Sequence, residues 1–227
     1  MPVAMSPSAL LFDLDGTLID SEQSICDAAS TAFAAQGVKV DPLDVADHLG
    51  APLLELFHIF VDDSVGMESP AYIAFRDAFI AAHDEHPNAH PELLPGVKAA
   101  FDVLQGLQLP MSVATTKPTD RAVPHVEHTA LKGVLQHIQG TDPGMKAKPE
   151  PDVVLAACAA LDVDPKTVWM IGDTLRDVRA AHTAGAVAVV VAYSDAQLQR
   201  AQTFGADAIV RSLEELPQLL ADAAAAK

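Results

Sequence analysis

The chain has 227 residues, half of them apolar, and carries a formal net charge of −17, from 14 Lys and Arg against 31 Asp and Glu. It is long enough to bury one good core and a second, smaller one, and its charge repels nucleic acid and anionic membranes, so neither is an expected partner. With no membrane-spanning stretch, no signal-peptide pattern and no cysteine spacing typical of disulfides or metal sites, the sequence predicts a cytoplasmic protein.

Short apolar runs alternate with amphipathic segments along most of the chain. Runs typical of buried parallel strands cover residues 9–13, 110–115, 168–171, 187–192 and 207–210. Patterns typical of helices cover residues 96–105, 119–131, 151–161, 176–184, 195–204 and 213–223. This alternation predicts an α/β fold, a doubly wound parallel sheet with right-handed crossovers.

The interval 21–93 interrupts this alternation. It has no strand-like run, but it contains amphipathic helical windows such as 22–36 and 70–83. The simplest interpretation is a helical cap inserted after the first strand, which would lie over the carboxyl end of the sheet because it begins there. We therefore expect a Rossmann-like core formed by 1–20 and 94–227, and a cap domain formed by 21–93.

Polar residues follow three of the predicted strands. Asp13 and Asp15 follow the first strand, Thr115 and Thr116 the second, and the segment 172–177 (GDTLRD) the third. In open α/β sheets, ligands bind beyond the carboxyl ends of the strands, so these residues are expected at one site. Two carboxylates about 4 Å apart repel each other by roughly 4 kcal/mol at an effective dielectric constant near 20, which a cation or a proton would offset.

Each of these residues has an ordinary structural interpretation when taken alone. Asp173 is typical of a helix N-cap, Thr115 of a strand end, and Lys148 of a solvated loop. Their convergence on one edge instead favours a Mg²⁺ site, because hard Mg²⁺ prefers oxygen ligands and commonly keeps a substrate phosphate oxygen. Asp13 and Asp173 are then the expected carboxylate ligands, while Lys148 and Thr115 would hold the other phosphate oxygens.

Four segments resemble the ordered motifs of the haloacid dehalogenase-like superfamily, whose members are mostly phosphatases. They are residues 13–17 (DLDGT), Thr115, Lys148 with the proline that follows it, and residues 172–177. Within that superfamily, the helical insertion and residues 49–53, 148–152 and 205–207 are similar to the phosphoglycolate phosphatase group.

The resemblance implies a role for each matched residue. Asp13 would be the nucleophile that forms an aspartyl-phosphate, and Asp15 would protonate the leaving oxygen and then deprotonate the hydrolytic water. Mg²⁺ would be bound by Asp13, Asp173 and the backbone carbonyl of Asp15, with Asp177 orienting waters or the motif lysine. Thr116 stands where many relatives carry Asn, so its backbone N–H is expected to keep the phosphate contact.

Three further signals are weaker. Lys146 lies two residues before Lys148, but Pro149 beside Lys148 matches the superfamily better. Arg176 could approach the phosphate edge of the site, but the favoured interpretation is a solvated arginine in a first helical turn. The histidine-rich segment 83–90 invites a zinc-site interpretation, which we reject because a proline at position 87 would break the helix that has to arrange the ligands.

The resulting hypothesis is a Mg²⁺-dependent phosphatase, a monomer or a homodimer, that acts on a small phosphorylated metabolite. A sugar-phosphate mutase of the same fold stays open, since it would differ in how the cap excludes water. A phospho-accepting, receiver-like module is the alternative from another class, although Asp15 and the long insertion argue against it.

A dehalogenase is disfavoured because that branch typically has an aromatic residue at position 15. A phosphonate hydrolase is disfavoured because its cap would supply a Schiff-base lysine, whereas Lys39 is the one lysine in 21–93 and nothing in the sequence suggests that it is buried.

Overall fold

The computed structural model describes residues 5–226. The chain forms two compact units. One unit is made by the chain up to Ile19 together with the chain from Glu92 onwards, and the other by Asp20–Pro91. The first contains the sheet and the second is helical.

A parallel sheet of six strands organises the first unit. The strands are β1 (Ala9–Phe12), β2 (Met111–Ala114), β3 (His137–Gln139), β4 (Val168–Gly172), β5 (Val187–Val191) and β6 (Ala208–Val210), in the spatial order β3-β2-β1-β4-β5-β6. The order runs outward in both directions from β1, which makes the sheet doubly wound and opens a crevice beyond the carboxyl ends of β1 and β4. The predicted fold class, with a helical segment inserted after the first strand, is confirmed.

Ten α-helices occur in the described part of the chain. The helical unit contains α1 (Glu22–Ala35), α2 (Pro42–Ala46), α3 (Leu53–Phe60) and α4 (Pro70–Asp84); the sheet unit contains α5 (Val97–Leu104), α6 (Thr119–Glu127), α7 (Asp152–Ala160), α8 (Leu175–Ala184), α9 (Asp195–Ala201) and α10 (Leu216–Ala225). Within residues 5–226, none of these helices is long and apolar enough to cross a membrane.

The sheet is buried on both faces because its strands alternate their side chains between two cores. Leu10 and Phe12 of β1 join one core, and Ala9 and Leu11 join the other. The ring centroids of Phe12 and Phe101 of α5 lie 4.9 Å apart, which packs that helix on the first face. Burial on both faces explains why the strands are continuous apolar runs.

Strand β3 is a difference from the sequence prediction, which placed no strand at His137–Gln139. Its three residues are too few and too polar to stand out as an apolar run. The strand exists because it pairs with β2, with Val113 opposite Ile138. Tertiary pairing, rather than local preference, therefore determines this edge of the sheet.

The helical unit has a core of its own, built around aromatic side chains. Phe33, Phe57 and Phe75 are fully buried, and the rings of Phe33 and Phe75 lie 4.6 Å apart. Helices α1 and α4 supply most of these residues, and Leu56 and Tyr72 add to the same cluster. The helical unit therefore has its own hydrophobic core, as expected of a separate domain.

Candidate active site

Three carboxylates converge at the carboxyl end of the sheet. Asp13 directly follows β1, Asp173 directly follows β4, and Asp177 lies in the first turn of α8. One carboxylate oxygen from each lies within 4.8 Å of the others. Across residues 5–226 this is the one group of three or more potential metal-binding side chains with such spacing. The histidines of segment 83–90 assemble no comparable group in that part of the chain.

Lys148 supplies positive charge to this cluster. Its side chain is 2% exposed, and its Nζ lies 2.8 Å from Asp13 Oδ1 and 2.6 Å from Asp177 Oδ1. The ammonium also donates a hydrogen bond of 3.1 Å to the carbonyl oxygen of Ala114, at the end of β2. The interpretation of Lys148 as a solvated loop charge is therefore wrong, and the motif lysine joins the ends of β1, β2 and α8.

Asp177 is held from two sides. Its Oδ2 accepts hydrogen bonds from the backbone N–H of Thr174 at 3.0 Å and from the Thr174 hydroxyl at 2.6 Å, which forms a capping box at the start of α8. Its Oδ1 accepts from Lys148. Thr174, rather than Asp173, is the N-cap of this helix, so the capping interpretation of Asp173 is wrong.

Asp173 is anchored from the loop that follows β1. The hydroxyl of Thr17 donates a hydrogen bond of 3.0 Å to Asp173 Oδ1. Gly16 has a φ of +78°, and a Cβ at this position would lie 2.7 Å from Asp173 Oδ2, so only glycine fits without displacing the carboxylate. The loop is supported in turn by Tyr193, whose hydroxyl donates to the Thr17 carbonyl at 2.8 Å.

The two threonines after β2 differ in their hydrogen bonding. Thr115 is 2% exposed, and its Oγ1 accepts a hydrogen bond of 3.3 Å from the backbone N–H of Lys117. The Thr116 hydroxyl oxygen is buried and has no hydrogen-bond partner. A buried hydroxyl without a partner costs free energy in the protein alone, so Thr116 offers a donor that a ligand could satisfy.

Burial and mutual repulsion control the ionisation of the cluster. Burial raises the pKa of Asp13 to about 6, against the attraction of Lys148, and the nearby Asp177 and Asp15 raise it further. Burial, Asp177 and Asp13 also raise the pKa of Asp173 well above its usual range. Burial would lower the pKa of Lys148, but Asp13 and Asp177 outweigh it and raise that pKa. Lys148 therefore stays charged, whereas the positive charge nearby is not enough to keep the pKa values of Asp13 and Asp173 in their usual range.

Comparison with known proteins identifies the family. The model of the haloacid dehalogenase-like hydrolase family matches residues 10–191. The chain belongs to this family. It is 34% identical over 215 residues to a phosphoglycolate phosphatase of Chromobacterium violaceum, covering 93% of this chain and 96% of the relative. It is 32% identical over 225 residues to a plasmid-borne phosphoglycolate phosphatase of Cupriavidus necator, covering 97% and 96%.

The fold of this haloacid dehalogenase-like hydrolase is shared with solved structures. A crystal structure described as a predicted phosphatase from Clostridium acetobutylicum superposes with a TM-score of 0.83 at 24% identity, covering 95% of this chain and 99% of that one. The predicted superfamily, its phosphoglycolate phosphatase-like group and the enzyme class, a phosphoric monoester hydrolase, are confirmed by these matches.

One residue that contacts the motifs of this hydrolase was missed from the sequence. Lys117 Nζ lies 2.7 Å from Asp15 Oδ1, so Lys117 forms an ion pair with the second aspartate of the first motif. Its sequence signal is faint, because a lysine beside Pro118 at a helix start is most often solvated. Its position directly after two threonines at a strand end was the available clue.

Arg176 is the other residue whose environment differs from its interpretation. It is half-buried rather than solvated, and its Nη1 donates a hydrogen bond of 3.3 Å to the backbone carbonyl of Lys148. The guanidinium therefore fixes the loop that carries the motif lysine. Lys146, in contrast, has an exposed side chain.

Proposed function

We propose that this protein is a Mg²⁺-dependent phosphatase that hydrolyses a small phosphate monoester through an aspartyl-phosphate on Asp13. The observation that carries the proposal is the juxtaposition of Asp13 with Lys148 at 2.8 Å and with two further carboxylates within 4.8 Å. A buried carboxylate in such a cluster can attack phosphorus once a cation and the lysine offset the charge of the substrate.

The residues present fit a magnesium ion, because the cluster offers only oxygen ligands. Asp13 Oδ1 is buried and lies 2.8 Å from Lys148 Nζ, but the geometry of this contact is not that of a hydrogen bond, so the oxygen could still bind a cation. Asp13, Asp173 and the backbone carbonyl of Asp15 would hold the ion. Bound there, Mg²⁺ would offset negative charge on both the nucleophile and the phosphoryl group.

In the first step, a carboxylate oxygen of Asp13 attacks phosphorus while Asp15 gives its carboxyl proton to the leaving oxygen, whose bond to phosphorus breaks. In the second step, Asp15 takes a proton from water as the water oxygen attacks phosphorus. The bond from phosphorus to Asp13 then breaks, which releases inorganic phosphate and restores both carboxyl groups.

The phosphoryl group itself needs donors, and the chain provides them. Thr115 accepts a hydrogen bond from the Lys117 backbone, which leaves its hydroxyl proton for a phosphate oxygen. Thr116 offers a buried hydroxyl without a partner and a backbone N–H. With Lys148, these groups would surround the phosphate with one positive charge and several donors. Asp177 would orient the lysine.

Phosphoglycolate is the proposed first substrate to test, because both reported relatives are named for it. We further propose that the helical unit, Asp20–Pro91, acts as the cap domain that selects the substrate. A cytoplasmic enzyme acting on a metabolite is consistent with the free, buried thiols of Cys26 and Cys158.

The test is phosphate release with Mg²⁺ and with EDTA, over a panel of phosphoglycolate, sugar phosphates, nucleotides and pyrophosphate. We expect release to require Mg²⁺ and to disappear in Asp13→Asn, while Asp20→Asn, which changes an exposed carboxylate, behaves like the wild type. Release that persists in Asp13→Asn would contradict the nucleophile assignment. Transfer of phosphate back to product instead of to water would indicate a mutase.

A further inference from the structure

An ion pair outside the predicted motifs holds the proposed acid. Lys117 Nζ lies 2.7 Å from Asp15 Oδ1, and the two side chains are 13% and 19% exposed. Because both groups are largely shielded from water, the pair is less screened than an exposed surface pair. Lys117 therefore has the charge and the distance to fix how the Asp15 carboxyl is turned.

His125 is a second partner of the Lys117 side chain. Lys117 Nζ lies 3.1 Å from Nδ1 of His125, a residue of α6 that is 5% exposed. An ammonium can only donate, so Nδ1 accepts and the ring carries its proton on Nε2. The lysine is thus held between a carboxylate and an imidazole, which restricts a side chain that would otherwise be flexible.

The backbone of Lys117 is equally restricted. Its carbonyl oxygen accepts a hydrogen bond of 3.1 Å from the N–H of Thr141. A Cβ on Gly140 would lie 2.3 Å from the same oxygen, so any residue other than glycine at position 140 would clash with the Lys117 backbone. The backbone from which the Lys117 side chain extends toward Asp15 is therefore held in place.

We infer that Lys117 is a positioning residue that orients the Asp15 carboxyl for proton transfer to and from the reacting oxygens. The inference rests on the proposed function, in which Asp15 is the general acid and base. A proton donor must lie within hydrogen-bond distance of its acceptor, so an Asp15 side chain free to rotate would transfer its proton less often.

The inference predicts a defect that depends on the leaving group. An alkoxide leaving from an alkyl phosphate such as phosphoglycolate needs its proton, whereas 4-nitrophenolate leaves without one. In Lys117→Met, we expect kcat/KM to fall about 10- to 100-fold on the alkyl phosphate and less than about 3-fold on 4-nitrophenyl phosphate, as for partial loss of general acid catalysis. Lys117→Arg should recover part of the loss, and Lys146→Met is the matched control.

An equal loss on both substrates would overturn the inference. So would a rise in KM confined to substrates with an anionic leaving group, because Lys117 would then be a substrate-binding residue. Adding Lys117→Met to Asp15→Asn should cause no further loss, since a residue that acts through Asp15 has nothing left to position. An additive loss contradicts the inference.

A crystal structure of Lys117→Met provides a readout that is independent of turnover. We expect the Asp15 side chain to occupy a different rotamer, and an unchanged rotamer would contradict the inference. Failure of the proposed function has a different signature, since the wild type would then release no phosphate that depends on Asp13. The two failures are therefore distinguishable.

Discussion

Thr17 and Asp173 lie 156 positions apart in the sequence and are joined by a hydrogen bond of 3.0 Å from the threonine hydroxyl to Oδ1 of the aspartate. The bond links the loop after β1 to the loop after β4. Those strands are neighbours, with Phe12 opposite Ile171. The parallel register thus places the first and last motifs side by side, and the side chains then lock them together.

Gly16 provides a test of this contact. In Gly16→Ala, the new methyl group would meet Asp173 Oδ2 at 2.7 Å. We expect it to displace Asp173 and to weaken Mg²⁺ activation, in addition to the about 1–2 kcal/mol that a left-handed conformation costs a non-glycine residue. The matched control is Gly37→Ala, which has a similar φ of +75° but meets no atom within 4 Å. Measured Mg²⁺ activation that falls equally in both variants would contradict the contact.

The raised pKa of Asp13 predicts an unusual pH dependence of stability in EDTA. The ordinary pKa of an Asp is 3.8, and burial raises the pKa of Asp13 in the folded protein to about 6. Between these values the folded protein binds more protons, so the free energy of unfolding falls as pH rises, by roughly 3 kcal/mol over the whole window. Asp173 acts in the same direction. Urea unfolding at a series of pH values would measure the slope.

Two comparisons isolate the contribution of Asp13. Asp13→Asn removes its titration, so the variant should lack that part of the slope. If Mg²⁺ binds the ionised Asp13 carboxylate, as proposed, its stabilising effect should be larger near neutral pH than at about pH 5. An equal Mg²⁺ effect at both pH values would mean that the ion binds elsewhere.

Thr116→Val should change stability and activity in opposite directions. The variant replaces a buried hydroxyl that has no partner with a methyl group of similar size. We expect unfolding to require about 1 kcal/mol more, because an unsatisfied buried polar group is removed. If the hydroxyl binds phosphate, KM should rise several-fold with little change in kcat. Thr115→Val is the contrasting variant, since it loses the hydrogen bond from Lys117 and should be destabilised. A Thr116→Val variant with wild-type KM would remove Thr116 from the phosphate site.

Most of the site could be predicted because its residues sit where the chain leaves a strand. The apolar runs that end at Asp13 and Asp173 are visible in the sequence, and parallel pairing brings their carboxyl ends to one edge. Placing these residues at one edge needs no knowledge of side-chain packing. The family motifs then indicate which of the polar residues after the strands belong to the candidate site.

The supporting residues could not be predicted, because their roles arise from distant packing. Lys117 contacts Asp15 across 102 positions, and Arg176 contacts the Lys148 carbonyl across 28. Nothing in the local pattern of either residue distinguishes it from a solvated cation. The same reason applies to β3, which depends on pairing with β2. Contacts of this kind are fixed only when the sheet has formed.

Lys148 is the residue whose removal should cost most. Lys148→Met leaves Asp13 and Asp177 buried without the ammonium that lies 2.8 and 2.6 Å from them. Breaking a buried ion pair from one side costs about 3–5 kcal/mol, and the same substitution should abolish phosphate release. The loss of stability should be smaller at about pH 5, where Asp13 is protonated and no longer needs a partner. Urea unfolding of Lys148→Met beside Lys146→Met, at both pH values, measures the difference. A deficit that does not change with pH would mean that lost packing, and not unpaired charge, destabilises the variant.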